Sequence, residues 1–309
     1  MTAHWNGALV AAFASLVAIE AHAQELQRPV EATRDRVART TQFVGSTVVG
    51  VEGEKVGELK DLVIDDDADC VAFAIVATKN DKLVAIPFAT LQHSAKEGGA
   101  GFTLTSANAD MAKAPSFDAR SWPEFDHAYA ARIYDFYKAK PYWKDAANRE
   151  ARIADGAAVK AAETAVTKES ASTCHTCRVT AMIGQNVQDG HDKKIAELFD
   201  VVVDEASGRV AYAILATGGF FGVGEQLMAV PWASVKAPAA TGKARVLDVS
   251  KERLELAPAF DKKSWPDLAD RQWGAGIHRF WEQRPFWDVR ADPHSDAQAD
   301  AARDAARHE

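Results

Sequence analysis

The hydrophobic and polar positions of this chain form one pattern that occurs twice. Short apolar runs rich in Val, Ile, Leu and Phe are separated by turn residues, and GELKDLVIDDDADCVAFAIVAT from Gly57 returns as AELFDVVVDEASGRVAYAILAT from Ala196. Three later segments repeat in the same order: LVAIPFATL, APSFDARSWPEF and IYDFYKAKPYW return as LMAVPWASV, APAFDKKSWPDL and IHRFWEQRPFW. A whole unit has therefore been duplicated within the chain.

Short apolar runs bounded by turn signals are typical of strands in a small β-barrel or sandwich. In the first copy, strands are predicted near 46–51, 59–65, 71–78, 83–87 and 102–105. In the second copy they are predicted near 186–188, 198–204, 210–217, 226–231 and 244–249. We expect a mainly β protein with two tandem small barrels, each with its own core.

A helix is predicted after the strands of each copy. SWPE from Ser121 and SWPD from Ser264 place Ser at the N-cap, Pro in the first turn and an acid three residues after the Ser. These starts predict helices over about 121–138 and 264–282. The aromatic residues beyond them share one helical face, which either docks on its own barrel or enters a partner groove.

The predicted strands and helices divide the chain into two units and their connections. The scheme is a signal peptide at 1–23, a linker at 24–40, a first unit at 41–143 with its barrel at 41–110, a spacer at 144–179, a second unit at 180–287 with its barrel at 180–255, and a frayed tail at 288–309. The spacer is rich in Ala and charge, so we expect it to be solvated and partly helical.

The first residues indicate export. An apolar run from Ala8 to Ile19 is followed by Ala21-His22-Ala23, a small-x-small site suited to a signal peptidase. The run is short for a membrane span, which takes about 20 apolar residues. We therefore predict a periplasmic or secreted protein, with membrane association only if this segment stays uncleaved.

The charge of the chain argues against nucleic acid as a partner. The formal net charge is -8 at pH 7, and no cluster of Lys and Arg reverses it locally. No Gly-x-Ser-x-Gly, His-Glu-x-x-His or helix-opening Gly-x-Gly-x-x-Gly motif is present. We accordingly expect no catalytic residues, no metal and no cofactor.

Cys174-His175-Thr176-Cys177 is the one motif that suggests chemistry, because its spacing suits a disulfide, a redox pair or two metal thiolates. Arg178 stands where a c-type haem site needs His, and no second pair of ligands completes a zinc site. A local disulfide between Cys174 and Cys177 is the main expectation, and a thiol oxidoreductase is the alternative. Cys70 is a third, incidental thiol.

Two further segments have compositions that could suit a bound ligand. The acidic run at 65–69 lacks the Gly and Glu of an EF-hand loop, since Cys70 and Val76 stand there, so a solvated turn is favoured over calcium. The glycine-rich segment at 218–224 lacks a Gly-Lys-Ser/Thr ending and precedes a strand. Its two Phe side chains either meet a partner or fold back onto the barrel. The candidate partner-binding loop is Gly218, Gly219, Phe220, Phe221, Gly222 and Gly224.

The pattern G-x-x-x-D-x-x-x-D, followed by a turn, an apolar strand and a VPW-like end, resembles the PRC-barrel family. It stands as Gly57, Asp61 and Asp65 in the first copy and as Ala196, Asp200 and Asp204 in the second. The stretch AYAILATGGFFGVGEQLMAVPW from Ala211 is especially similar, and the resemblance covers roughly 41–110 and 180–255.

The family includes the extramembrane domain of the photosynthetic reaction-centre H subunit and the C-terminal domain of a ribosome maturation factor. The resemblance implies small all-β barrels that bind partners and share no catalytic residues. The first copy lacks the GGFFGVG loop, and no transmembrane helix like that of the H subunit follows, so no photosynthetic role is expected.

These observations favour a non-enzymatic protein-binding or scaffold module of the cell envelope, with an unidentified protein partner. Two linked weak sites gain affinity through effective concentration, which is one reason to duplicate a binding module. The alternatives are a periplasmic thiol oxidoreductase that uses Cys174 and Cys177, and a membrane-tethered structural subunit of an electron-transfer complex.

Overall fold

The fold consists of two β-sheets, one for each copy of the sequence unit, with short helices around them. The computed structural model describes residues 36–79, 81–96, 99–106, 111–143, 176–218, 226–237 and 244–288. The predicted signal peptide lies outside these residues, as do most of the predicted linker and spacer and the tail from 289. We refer to the described parts of 36–143 and 176–288 as repeat 1 and repeat 2.

Repeat 1 alternates short helices with eight strands. Its elements are β1 Val37–Arg39, α1 Thr40–Phe43, β2 Thr47–Val49, β3 Lys55–Asp65, β4 Cys70–Ala77, β5 Leu83–Pro87, β6 Leu91–Lys96, β7 Gly99–Leu104, β8 Ser116–Phe117 and α2 His127–Phe136. Four of the five predicted strands match β2, β3, β4 and β5 to within a few residues. The prediction near 102–105 falls on β7, and β6 was not predicted.

Repeat 2 follows the same order. Its elements are β9 Thr176–Arg178, α3 Val179–Met182, β10 Asn186–Gln188, β11 Lys194–Asp204, β12 Val210–Thr217, β13 Gln226–Pro231, β14 Arg245–Val246, α4 Lys251–Glu255, β15 Ala259–Phe260 and α5 Arg271–Phe280. The predicted strands at 186–188, 210–217 and 226–231 have the observed bounds. β4 and β12 are almost continuous apolar runs because each is a central, buried strand.

The sheets are open rather than closed into barrels. The strand order is β6-β7-β2-β3-β4-β5-β8 in repeat 1 and β14-β10-β11-β12-β13-β15 in repeat 2. All neighbours pair antiparallel except β2 with β7 and β10 with β14. Among the described residues no backbone pairing joins the end strands of either sheet, so the closed barrels expected from the sequence are not formed.

The predicted linker and spacer each end in a strand, which corrects the scheme drawn from the sequence. β1 pairs with β11 of repeat 2, with Val37 opposite Asp204 and Arg39 opposite Val202. β9 pairs with β3 of repeat 1 in the same register, with Thr176 opposite Asp65. Each repeat therefore gives one strand to the sheet of the other. Strands of three residues are too short to show a hydrophobic period. β1 and β9 form because each pairs with an edge of the other repeat.

The repeats also share one hydrophobic core, so the expectation of two separate cores is wrong. The buried apolar residues of both repeats form one continuous cluster, which includes Val63 and Ile64 of β3 and Val202 and Val203 of β11. These are the strand segments that receive the exchanged strands. Strand exchange thus joins the buried residues of the two repeats into one core.

The helices begin later than predicted. α2 begins after Asp126, whose carboxylate accepts a hydrogen bond from the Tyr129 amide at 2.7 Å. α5 begins after Asp270 in the same way. The predicted N-caps instead close tight turns, since Ser121 bridges to Asp118 and Ser264 to Asp261. The Pro that follows each Trp disfavours helical backbone at that Trp, which favours a turn over a helix start at the Ser.

Each aromatic helix packs on its own sheet. The Tyr134 hydroxyl of α2 donates to the Ala72 carbonyl at 3.1 Å, and the Trp281 indole after α5 donates to the Ala229 carbonyl at 3.0 Å. Ile133 and Ile277 are buried beside them. The aromatic faces are therefore part of the core. No described helix has the length and apolar character that a membrane span needs.

Candidate interaction site between the repeats

The exchanged strands lie in grooves that have the same construction in both repeats. We call residues 37–41 arm 1 and residues 176–180 arm 2. One edge of β3 pairs with β2 along Lys55–Glu58 and with β9 along Val63–Asp65, while β4 covers the other edge. β11 is shared by β10 and β1 in the same way. The second half of each long strand is thus an edge that only the other repeat fills.

A buried aspartate anchors each arm. Asp61 is 2% exposed, and its carboxylate accepts hydrogen bonds from the Thr180 amide at 3.0 Å and the Thr180 hydroxyl at 2.5 Å. Asp200 is fully buried and accepts from the Thr41 amide at 3.3 Å, the Thr41 hydroxyl at 2.5 Å and the Thr40 hydroxyl at 3.0 Å. The last contact has no counterpart in arm 2, where Val179 stands. Hydrogen bonds to a charged acceptor are about twice as strong as neutral ones. The middle Asp of the repeated G-x-x-x-D-x-x-x-D pattern therefore holds the arm of the other repeat.

An arginine of each arm stacks on a tryptophan of the receiving repeat. The Arg178 guanidinium carbon lies 4.1 Å from the centroid of the Trp122 ring, and that of Arg39 lies 4.2 Å from the Trp265 ring. Both indoles are fixed by a hydrogen bond from Nε1 to a backbone carbonyl at 2.9 Å, that of Ala119 in repeat 1. The SWP motif, which the sequence suggested was a helix start, thus supplies the platform for the arm's arginine.

The two arms share the spacing that these contacts require. Arm 1 reads VARTT and arm 2 reads TCRVT, so each has Arg followed two residues later by Thr. Just beyond the arms, Phe43 and Met182 are buried in their own repeats. Sequence reasoning missed the arms because it placed them in the linker and spacer. The same Arg-x-Thr spacing before both copies was the available signal.

A second layer of contacts joins the turns that follow β3 and β11. The Asp66 carboxylate meets Arg245 of repeat 2, with both oxygens 2.9 Å from Nη2, and the Arg245 guanidinium also lies over the Trp232 ring at 4.5 Å. At the equivalent position of repeat 2, Glu205 lies 2.9 Å from His93 Nδ1 of repeat 1. Burial is the main factor that raises the pKa of Glu205 above its ordinary value.

The backbones of these turns also hydrogen-bond to each other. The Val71 amide donates to the Gly208 carbonyl at 2.8 Å, and the Val210 amide donates to the Asp69 carbonyl at 2.9 Å. Gly208 has φ +71, and a Cβ there would lie 3.2 Å from the Phe88 ring of repeat 1. Arms, turns and side-chain pairs therefore form one continuous and nearly two-fold symmetric interface.

Cys177 lies within arm 2, opposite Ile64, and is half-buried. Burial, with a smaller effect of the Asp66 carboxylate, raises the pKa of this thiol to about 11. A thiol with a raised pKa is a poor nucleophile at neutral pH. The thiol oxidoreductase alternative is therefore unsupported. Cys174 lies outside the described residues, so the disulfide with Cys177 remains a prediction.

The acidic turn at 65–69 is used by the fold itself. The Asp65 carboxylate accepts from the amides of Asp67 and Ala68 and from the Tyr142 hydroxyl, the last at 2.7 Å. Within the described residues no group of three or more His, Cys, Asp or Glu side chains is arranged to hold a metal ion. The Asp65 carboxylate thus fixes the turn within repeat 1, while Asp66 and Asp69 of the same turn contact repeat 2.

The glycine-rich segment begins at the end of β12. Gly218 is exposed and has φ +69, a conformation that favours glycine. Gly219, Phe220, Phe221, Gly222 and Gly224 lie outside the described residues. Their role as a partner-binding loop remains a prediction.

The comparison with protein families finds the same two repeats that the structure shows. The family model for the PRC-barrel domain matches residues 35–107 and 177–254, so the match occurs twice, as expected for a tandem duplication. The matched segments begin at residues 35 and 177, so they take in nearly all of both arms. The arms are therefore part of the module rather than of its linkers. No curated protein matches the chain significantly.

Proposed function

Because two segments of this chain match the model of the PRC-barrel domain family, we propose that it is a non-enzymatic scaffold of the cell envelope that binds a protein partner. The exchange of β1 and β9 between the sheets is the observation that supports this most directly. In this arrangement the arm residues, both anchoring aspartates and the acids of the turns make contacts between the repeats. This use of the described interior supports a structural role for it over a catalytic one.

The family suggests a non-catalytic module in general, and the chemistry of the described residues agrees with that. Asp61 and Asp200 accept hydrogen bonds from amides and hydroxyls of the arms, and Asp200 also accepts one from the Val201 amide of its own strand. Arg245 is buried against Asp66, and burial raises the pKa of the Cys177 thiol to about 11. The surface that we propose for a protein partner of a different kind therefore lies outside this interface.

The segment at 218–224 is the surface that we propose for the partner. It connects β12, which ends at Thr217, with β13, which begins at Gln226, while the equivalent connection in repeat 1 runs only from Ala77 to Leu83. Loops on a fixed sheet commonly carry binding residues. Phe220 and Phe221 are the side chains whose chemistry suits contact with an apolar protein surface.

A pull-down tests this proposal. The mature full-length chain, as wild type or as Phe220→Ser/Phe221→Ser, is used as bait for periplasmic extract. Leu256→Ser is the matched control, because Leu256 is an exposed apolar residue elsewhere in repeat 2. We expect a protein that wild type and the Leu256 control both recover and that the double variant loses. Equal recovery by all three baits would show that the loop is not the contact.

A turnover assay separates this proposal from its enzymatic alternative. Insulin reduction in the presence of a thiol donor is measured for wild type and for Cys174→Ser. We expect both to match the uncatalysed rate, because burial keeps Cys177 protonated. A wild-type rate above background that disappears in Cys174→Ser would favour the oxidoreductase.

A further inference from the structure

We propose that the groove along Val202–Asp204 is a recognition site for extended segments with the spacing Arg-x-Thr, and that arm 1 of a second copy of this chain is such a segment. We call this site groove 2. It is formed by β11, Asp200 and Trp265 and holds the chain's own arm 1. The proposal concerns a surface independent of the 218–224 loop.

Groove 2 provides three kinds of recognition at once. The edge of β11 pairs with the backbone of Val37–Arg39, as in β-strand addition of a peptide. The Trp265 ring selects a planar cation, and the Asp200 carboxylate selects an adjacent amide and hydroxyl. An arm from another chain that carries the same residues would make every one of these contacts.

A comparison of the two arms shows which residues the grooves recognise. Arm 2 differs from arm 1 at three of five positions, yet it keeps Arg and Thr and binds the equivalent groove of repeat 1 with the same register. Arg178 and Thr180 meet Trp122 and Asp61 at nearly the distances found in groove 2. Two different sequences in two equivalent grooves thus define what a groove requires.

If arm 1 leaves groove 2, binding of the arm of another chain is favourable. The vacated edge of β11 would expose unpaired backbone groups beside the buried Val202 and Val203. Exchange of an identical element between chains restores all the lost contacts, which is the basis of domain swapping.

Complementation between two full-length variants tests this inference. The first variant, Arg39→Ala/Thr41→Val, has a disabled arm 1 and an intact groove 2. The second, Asp200→Asn, has an intact arm 1 and a disabled groove 2. We expect each to be monomeric alone and the mixture to form a 1:1 complex by light scattering. Asp61→Asn is the matched control for the second variant, because its groove 2 still holds its own arm, and it should form no complex.

A synthetic peptide of residues 36–43 separates groove recognition from exchange between copies. We expect the fluorescent peptide to bind the arm-disabled variant and to bind wild type about tenfold more weakly, because the chain's own arm competes. If Arg39→Ala/Thr41→Val does not fold, Thr41→Val alone takes its place. No binding of the peptide to a folded arm-disabled variant would overturn the proposal. Peptide binding without a complex in the mixture would overturn the part that concerns a second copy.

Discussion

The Asp66 carboxylate and the Arg245 guanidinium form a buried ion pair that joins the two repeats. Both carboxylate oxygens lie 2.9 Å from Arg245 Nη2, and the side chains are only 3% and 1% exposed. The equivalent contact on the other side of the interface is Glu205 with His93. The pseudo-symmetric interface thus pairs an aspartate with an arginine on one side and a glutamate with a histidine on the other.

Replacing Asp66 with Ala is expected to destabilise the chain by about 3 to 5 kcal/mol, because it leaves the Arg245 charge buried without its partner. The measurement is the free energy of unfolding in urea. Asp135→Ala is the control, since Asp135 pairs with Lys138 at the surface, where both side chains are well over half exposed. A loss for Asp66→Ala no larger than for this control would contradict a buried pair.

Thr41→Val and Thr180→Val are expected to destabilise the chain by similar amounts, about 1 to 3 kcal/mol each. Each substitution keeps the shape of the side chain and removes the hydroxyl that donates to Asp200 or Asp61 at 2.5 Å. Thr78→Val serves as the control, because its hydroxyl donates to a backbone carbonyl at an exposed turn. Strongly unequal losses for Thr41 and Thr180 would show that the two arms are not energetically equivalent.

The sequence predicted the strands well and the joint between the repeats poorly, for physical reasons. β12 and β13 were predicted with their observed bounds because long apolar runs between turn residues encode buried strands locally. β1 and β9 are strands only because a distant edge receives them, and three residues carry no period of their own. Ser121 was predicted to cap a helix from its local pattern, but Pro123 and the role of Trp122 as a platform for Arg178 favour a turn there. Asp61 and Asp200 were recognised as family residues, while their partners in the arms required the structure.

His278 is expected to make the fold sensitive to acid. It is 2% exposed among Tyr212, Phe286 and Trp287, and burial lowers its pKa from 6.5 to about 4. Between pH 6.5 and 4 the unfolded chain binds a proton that the folded chain does not, so stability falls as the pH falls through this window. The total loss from this group is about 3 kcal/mol.

The test for His278 compares the pH dependence of unfolding with that of His278→Tyr. Repeat 1 has Tyr134 at the equivalent position, where its hydroxyl donates to the Ala72 carbonyl. Tyr does not titrate between pH 4 and 6.5, so the variant should lose less stability across this window than wild type. His191→Tyr is the control, because His191 is exposed, and it should follow wild type. Parallel curves for wild type and His278→Tyr would exclude His278 as the source.

Gly208→Ala and Gly276→Ala are expected to shift stability in opposite directions. Gly208 has φ +71 in the turn that contacts repeat 1, and an added Cβ would lie 3.2 Å from the Phe88 ring. Ala at this position would add backbone strain of about 1 to 2 kcal/mol and a close steric contact with Phe88 across the interface. Gly276 lies on the exposed side of α5 with nothing within 4 Å of an added Cβ, so Ala should stabilise the helix by up to about 1 kcal/mol.

Thermal unfolding of the two glycine variants checks both signs. Because both substitutions add one methyl group to repeat 2, a loss at Gly208 together with a gain at Gly276 would assign the cost to the contact between the repeats and to its left-handed backbone. A neutral Gly208→Ala would mean that the turns can separate from each other without loss of the fold.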